Sequence, residues 1–285
     1  MIGIAVLLGI AKSGDLQQAG GEPSAVLREE TLREPQEGSG LYAPGVLSTA
    51  EMTQAYGAKP YDRDIGVPRD GGGKTAYLTF DDGPSANTEK ILNILENEHI
   101  HGTFFVIGRT RPEYRGMYRR IAAAGHALGN HTFSHDYRRI YSSVRAFRED
   151  TEALGRFLLK ETGVKPDILR FPGGSNNVPS RKAGGPRIMS QITREMSGLG
   201  YRYFDWNVSS TDAAAAVPRK SDIVDAVRAN SSGKKNAIVL MHDLDGKTTT
   251  VEALPEIIRY FKQQGYAFAT LNHSSFTFQF LKPGG

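Results

Sequence analysis

The sequence predicts a parallel α/β fold, a barrel or a doubly wound sheet, over residues 74–285. Two observations predict it. Seven short apolar runs alternate with helix-length stretches whose apolar residues recur near 3.6 spacing. The side chains best suited to chemistry also fall where these runs end, and parallel folds gather their sites at the carboxyl ends of strands. With 39% hydrophobic residues in 285, the chain can bury the core of one large domain carrying an appendage.

In chain order, residues 2–10 (IGIAVLLGI) are apolar but fall short of the roughly 20 residues that a spanning helix needs. The run suits the h-region of a signal peptide or the trimmed end of an anchor, although no basic residue precedes it and no small-residue cleavage site follows. The run adds to an expectation of export that does not rest on it, and an N-terminal membrane tether is an option. From Lys12 to Gly73 the chain is rich in Gly, Pro, Glu and Gln and ends in Asp70-Gly71-Gly72-Gly73, which reads as a linker or poorly ordered arm. The expected division is 1–73 as apolar stub and linker and 74–285 as the catalytic domain, with the arm dispensable for folding. No internal repeat is present.

The strands are expected at Ala76–Phe80, Thr103–Ile107, Ala127–Gly129, Ile168–Phe171, Arg202–Trp206, Ala237–Met241 and Ala267–Leu271. Between them, Val144, Phe147, Thr151, Leu154 and Leu158 share one helical face. Ile223, Val224 and Val227 share another, with Ser221 placed to cap that helix.

Composition excludes some chemistry. There is no Cys, hence no disulfide, thiolate zinc site or cysteine nucleophile. Residues 1–73 hold 6 basic and 10 acidic residues; residues 74–285 hold 29 and 21, a net of +8. Such a surface is soluble in its own right and also attracts an anionic polymer such as cell wall. No arginine-rich run or aromatic-basic interleaving marks a nucleic-acid groove, so no nucleic-acid partner is expected.

Three fragments carry the chemistry. Asp81 and Asp82 follow the first strand, where Asp-Gly-Pro could also be a plain turn. His131 and His135, four apart, are expected on one side of a helical turn. With a carboxylate they form a set that binds zinc with a position left for water, or iron in the oxygenase manner. His242 follows the sixth strand; alone, it reads as a satisfied core histidine, the usual fate of such a residue. Arg170 closes the fourth strand and Asp205 the fifth.

In this order TFDDGPS, GNHTFSHD, RFPGG, YFDWNVSSTDA and LMHD resemble the five motifs of the NodB-like polysaccharide deacetylases, the fourth family of carbohydrate esterases. The resemblance spans roughly Lys74 to Leu281. It implies a distorted (β/α) barrel of seven to eight mainly parallel strands. It also implies Asp81 as general base, Asp82, His131 and His135 as metal ligands, and Arg170 as the group holding Asp81. Asp205 would orient His242, the general acid; Trp206 and Leu240 would wall the acetyl pocket. Gly173 departs from the many members that carry an aromatic residue there. Its backbone N–H can still bind an oxyanion, and the missing side chain should leave the cleft wide.

The resemblance implies one divalent ion, Zn2+ first with Co2+ or Ni2+ as alternatives, and a polysaccharide partner outside the cytoplasm. The expected reaction is hydrolysis of acetamide groups on N-acetylglucosamine residues of peptidoglycan, releasing acetate. Chitin-oligosaccharide deacetylation and acetylxylan ester cleavage are the alternatives of the same chemistry. A non-catalytic carbohydrate-binding relative and a two-His-one-carboxylate iron oxygenase are alternatives of other classes.

Overall fold

The computed structural model describes residues 73–284, so the expected stub, linker and tether lie outside the described residues. The strands are β1 (Lys74–Asp81), β2 (Thr103–Val106), β3 (Ala127–Asn130), β4 (Ile168–Leu169), β5 (Arg202–Tyr203), β6 (Val208–Ser209), β7 (Asn236–His242) and β8 (Tyr266–Phe268). The helices are α1 (Thr88–Asn97), α2 (Pro112–Ala123), α3 (Tyr137–Ile140), α4 (Val144–Thr162), α5 (Pro179–Gly184), α6 (Ile188–Gly198), α7 (Lys220–Ser231) and α8 (Thr248–Gln263).

Seven strands run in the order β5-β4-β3-β2-β1-β7-β6, and β8 pairs with the first residues of β1. Every pairing is parallel. The sheet curls into a half-barrel of the expected (β/α) class, with helices outside. Among the described residues no helix is long and apolar enough to cross a membrane.

The two-residue alternation of a strand decides what points inward. Leu78 and Phe80 of β1, Val239 and Met241 of β7, and Phe104 of β2 pack outward in one buried cluster with the helices. Tyr77, Phe105, Ala127, Ile168, Phe204 and Ile238 form a separate cluster within the curl. Four residues further toward the carboxyl ends on this inner face come Asp81, His131 and His242, and two further than Ile168 comes Arg170. An apolar plug thus fills the lower interior and leaves the upper end to polar side chains. Gly129 serves this plug, because a Cβ there would lie 2.3 Å from the Phe105 ring.

Boundaries differ from expectation where backbone bonding overrides composition. The apolar run Arg202–Trp206 supplies only two strand residues; the chain then crosses over and forms β6, an eighth strand that pairs β7. The last run shortens to Tyr266–Phe268. Helix α7 starts one residue before Ser221 with Arg219 at its cap position, so Ser221 lies in the first turn and makes no cap. Helix α4 follows the expected face, buries Phe147, Thr151, Leu154 and Leu158, starts on the Ser143 side chain and stops at Gly163.

Candidate active site

Asp81 is the last residue of β1 and the register partner of His242, the last residue of β7. Both side chains rise from the inner face on neighbouring strands. Asp81 is 3% exposed, and its Oδ1 accepts from Arg170 Nη1 at 2.9 Å. Its Oδ2 turns toward His131, 3.8 Å from Nε2. Arg170 has no exposed surface. Its guanidinium also donates to Thr79 Oγ1 and to the carbonyls of Phe204 and Asp205, and lies 4.3 Å from the Phe105 ring centroid. Four acceptors and an aromatic floor fix that cation, and it fixes Asp81.

Asp82 leaves the strand with φ 72°, which swings its carboxylate sideways toward the histidines. Asp82 Oδ1 lies 3.1 Å from His135 Nε2 and 3.4 Å from His131 Nε2, and is buried without a hydrogen-bond partner. The ligand atoms of the three residues lie within 4.8 Å of one another. Ligands on a tetrahedral ion at bonds of about 2.1 Å stand roughly 3.4 Å apart, so these residues fit a divalent cation. His131 Nδ1 lies 2.8 Å from the Arg170 carbonyl, which fixes the ring with Nε2 free for a ligand role.

The His pair is not on a helix. Residues 131–136 form a loop with positive φ at Thr132 (70°) and His135 (52°), and α3 begins only at Tyr137. Interior carboxylate and amide groups hold this shape. Asp150 of α4 accepts from the backbone N–H groups of Phe133 and Ser134, and Asn130 accepts from that of Thr132. The loop after Asp82 is held the same way by Asp243, which accepts from Ser85 Oγ and Thr88 Oγ1, both at 2.6 Å. Gly83 is required beside it, since a Cβ would meet Asp243 Oδ2 at 2.4 Å. Burial pushes the Asp243 carboxyl up to about 6 against those two hydrogen bonds.

One assignment is corrected. The carboxylate against His242 belongs to Asp212, not Asp205. Asp212 Oδ1 lies 2.8 Å from His242 Nδ1, and Oδ2 accepts from the His242 backbone N–H and from Thr250 Oγ1. Asp205 faces the other way and accepts from the Ser175 backbone N–H and hydroxyl and from the Phe280 backbone N–H. The physical reason is the unexpected β6. It runs beside β7, so the residues leaving it, Ser210 to Asp212, reach His242, whereas Asp205 sits in the crossover before it. The usable signal was strand adjacency: a carboxylate just beyond the strand that pairs with the His242 strand.

The electrostatics separate the histidines. Burial lowers His242, but the hydrogen bond and charge of Asp212, helped by Asp81 and Asp82, raise it to about 9. Burial also opposes charge on His131, and Asp81 and Asp82 reverse it, so these carboxylates favour a positive charge at Nε2. His135 is pushed down by burial and by His131. Burial acts to raise Asp82; its contact with His131 and the charges of the three imidazoles outweigh it and hold the carboxyl well below the usual range.

Leu240 stands two residues below His242 on the inner face, almost buried. Trp206 is half-buried, edge-on to Phe280 at 5.0 Å and 5.8 Å from the Arg170 guanidinium. Gly173 does not open the cleft: the Tyr137 ring fills the space its side chain would take, with Oη 2.9 Å from the ideal Cβ position. Asp212, Asp150, Asp243 and Tyr137 are the residues that sequence reasoning passed over.

Residues 69–185 match the family model described as polysaccharide deacetylase. A Bacillus subtilis (strain 168) relative bearing the same family name, YheN, is 34% identical over 206 residues, covering 70% of this chain and 68% of that protein. A peptidoglycan-N-acetylglucosamine deacetylase of Bacillus cereus (strain ATCC 14579) is 30% identical, covering 71% of each. Among solved structures, the catalytic domain of peptidoglycan N-acetylglucosamine deacetylase from Eubacterium rectale ATCC 33656 superposes with a TM-score of 0.70 at 36% identity, over 74% of this chain and 94% of that one.

Proposed function

Because the chain belongs to the polysaccharide deacetylase family, we propose that it removes acetyl groups from N-acetylglucosamine residues of peptidoglycan, acting outside the cytoplasm and leaving acetate and a free amine. The proposed domain division is 1–73 as an arm and 74–285 as the catalytic domain. The observation that carries the reading is the pairing of Asp81 with His242 across adjacent strand ends, beside the Asp82–His131–His135 set.

In this reading Asp82, His131 and His135 hold one Zn2+. Bound there, zinc supplies Lewis acidity and makes water acidic near neutral pH. Asp81 takes a proton from the attacking water through Oδ2, the oxygen that Arg170 leaves free. Gly173 N–H donates to the acyl oxygen as charge grows on it. His242, charged because Asp212 backs it, donates a proton to the departing nitrogen; without that proton the C–N bond would expel an amide anion. Trp206 and Leu240 wall the acetyl group. The net of +8 over residues 74–285 favours an anionic wall over neutral xylan.

Acetate release by the zinc-loaded full chain is the test, compared on peptidoglycan strands, chito-oligosaccharides, acetylated xylan and free N-acetylglucosamine. Fastest turnover on peptidoglycan is expected. Faster turnover on acetylated xylan than on every N-acetyl substrate would move the protein to ester cleavage.

A further inference from the structure

Two adjacent glycines make the loop after β4 a bare ridge, and rings from elsewhere close over it. Gly173 and Gly174 both have positive φ, 75° and 86°. A Cβ on Gly174 would lie 3.2 Å from the Trp206 ring and 3.3 Å from that of Phe280. On Gly173 it would lie 2.9 Å from Tyr137 Oη and 3.2 Å from Tyr137 Cε1. The wall that an aromatic residue at position 173 would build therefore comes from position 137 instead.

Tyr137 reaches that place from the loop of the histidine pair. It is the first residue of α3, fixed by Asp136, whose carboxylate accepts from the N–H groups of Arg138 and Arg139. Its ring stands edge-on to His135 at 5.5 Å and packs against Tyr141 at 5.7 Å. The Tyr141 hydroxyl is committed to the Pro172 carbonyl at 2.7 Å. No described residue accepts a hydrogen bond from the Tyr137 hydroxyl. The ring thus spans from His135 to the backbone of Gly173 and carries a spare donor at the Gly173 end.

We propose that Tyr137 is a further catalytic residue whose hydroxyl donates a hydrogen bond to the acyl oxygen of the bound amide, beside the Gly173 N–H. The proposal rests on the deacetylation reading, in which the Gly173 N–H donates to that oxygen. A phenol keeps its proton at working pH. Held by two rings and the glycine backbone, it is aimed before substrate arrives, so little reorganisation accompanies charge development. Gly173 and Tyr137 form a matched pair, because any side chain at 173 would displace the ring.

The test is Tyr137→Phe in the zinc-loaded full chain, with kcat, KM, metal content and thermal midpoint measured on a chito-oligosaccharide. The ring stays, so a packing role alone would leave all four unchanged. Loss of an oxyanion donor should lower kcat by about 10²-fold with KM, metal content and midpoint as in the parent. Parent-like kcat would overturn the assignment. So would a raised KM with unchanged kcat, which would place the hydroxyl on the sugar rather than the acyl oxygen. A parent enzyme that releases no acetate would instead sink the deacetylase reading itself.

Discussion

His131 and His242 occupy equivalent places at the carboxyl ends of inner-face strands, yet their second nitrogens meet different partners. His131 Nδ1 meets a neutral carbonyl, that of Arg170; His242 Nδ1 meets the Asp212 carboxylate. A carbonyl orients an imidazole while leaving it free to be neutral and donate a lone pair. A carboxylate stabilises the imidazolium and turns the ring into a proton donor. In the proposed reaction one residue type would serve as a ligand on one wall of the cleft and as an acid on the other, and the partner of Nδ1 contributes to that difference.

The largest effects should follow this division. Asp82→Asn and His135→Ala should lose bound metal and nearly all acetate release together. Asp81→Asn and His242→Ala should keep full metal content while losing about 10²–10⁴-fold in kcat, the usual cost of a missing acid or base. Metal analysis beside turnover separates the two walls. Metal loss in Asp81→Asn with normal occupancy in Asp82→Asn would reverse the roles of the adjacent carboxylates.

A smaller effect sharpens the acid side. Folding raises His242 from about 6.5 to about 9. The stability this contributes is complete below about pH 6.5 and is lost as pH rises through 9. Activity has the same sign, since the acid must be charged: the alkaline limb of the kcat profile should lie near 9. Asp212→Asn removes the largest opposing charge and should move that limb down toward the ordinary histidine value. Asp205→Asn should leave it in place and instead loosen the contacts to Ser175 and Phe280. A limb that moves with Asp205 and not with Asp212 would restore the sequence assignment.

Legibility divided along the same line. Asp81, His131 and His242 were readable because each lies at a strand end or one residue past it, where period-two alternation aims it inward; Asp82 and His135 were readable only beside them, and positive φ at both brings them into the site. The supports were not readable. Asp150 acts on the histidine loop from α4, the second helix after it, and Asp212 depends on β6, whose two residues carry almost no hydrophobic pattern. Spacing also misled: four residues between His131 and His135 suggest a helical turn, but positive φ at Thr132 and His135 produces the same convergence in a loop. The substitution of Tyr137 for a side chain at position 173 joins residues 36 apart in sequence, which a single sequence cannot pair.

The smallest expected effect lies behind the acid. Lys247 is nearly buried, and its ammonium donates to the carbonyls of Asp212, Ala215 and Ala216. It therefore pins the exposed Ala213–Val217 stretch and, through Asp212, the partner of His242. Lys247→Met keeps most of the stem and removes the three donors. The carbonyls of Ala215 and Ala216 lie in an exposed loop and can turn to water, so the stability cost should be about 1–2 kcal/mol rather than the full penalty of three orphaned acceptors. Metal content should not change, because no ligand is touched. Hydrogen exchange should quicken in residues 212–217 while the histidine loop keeps its protection, and kcat should fall only a few-fold, by about the factor that 1 kcal/mol gives. Equal quickening in residues 131–136 would mean that the two walls are one cooperative unit.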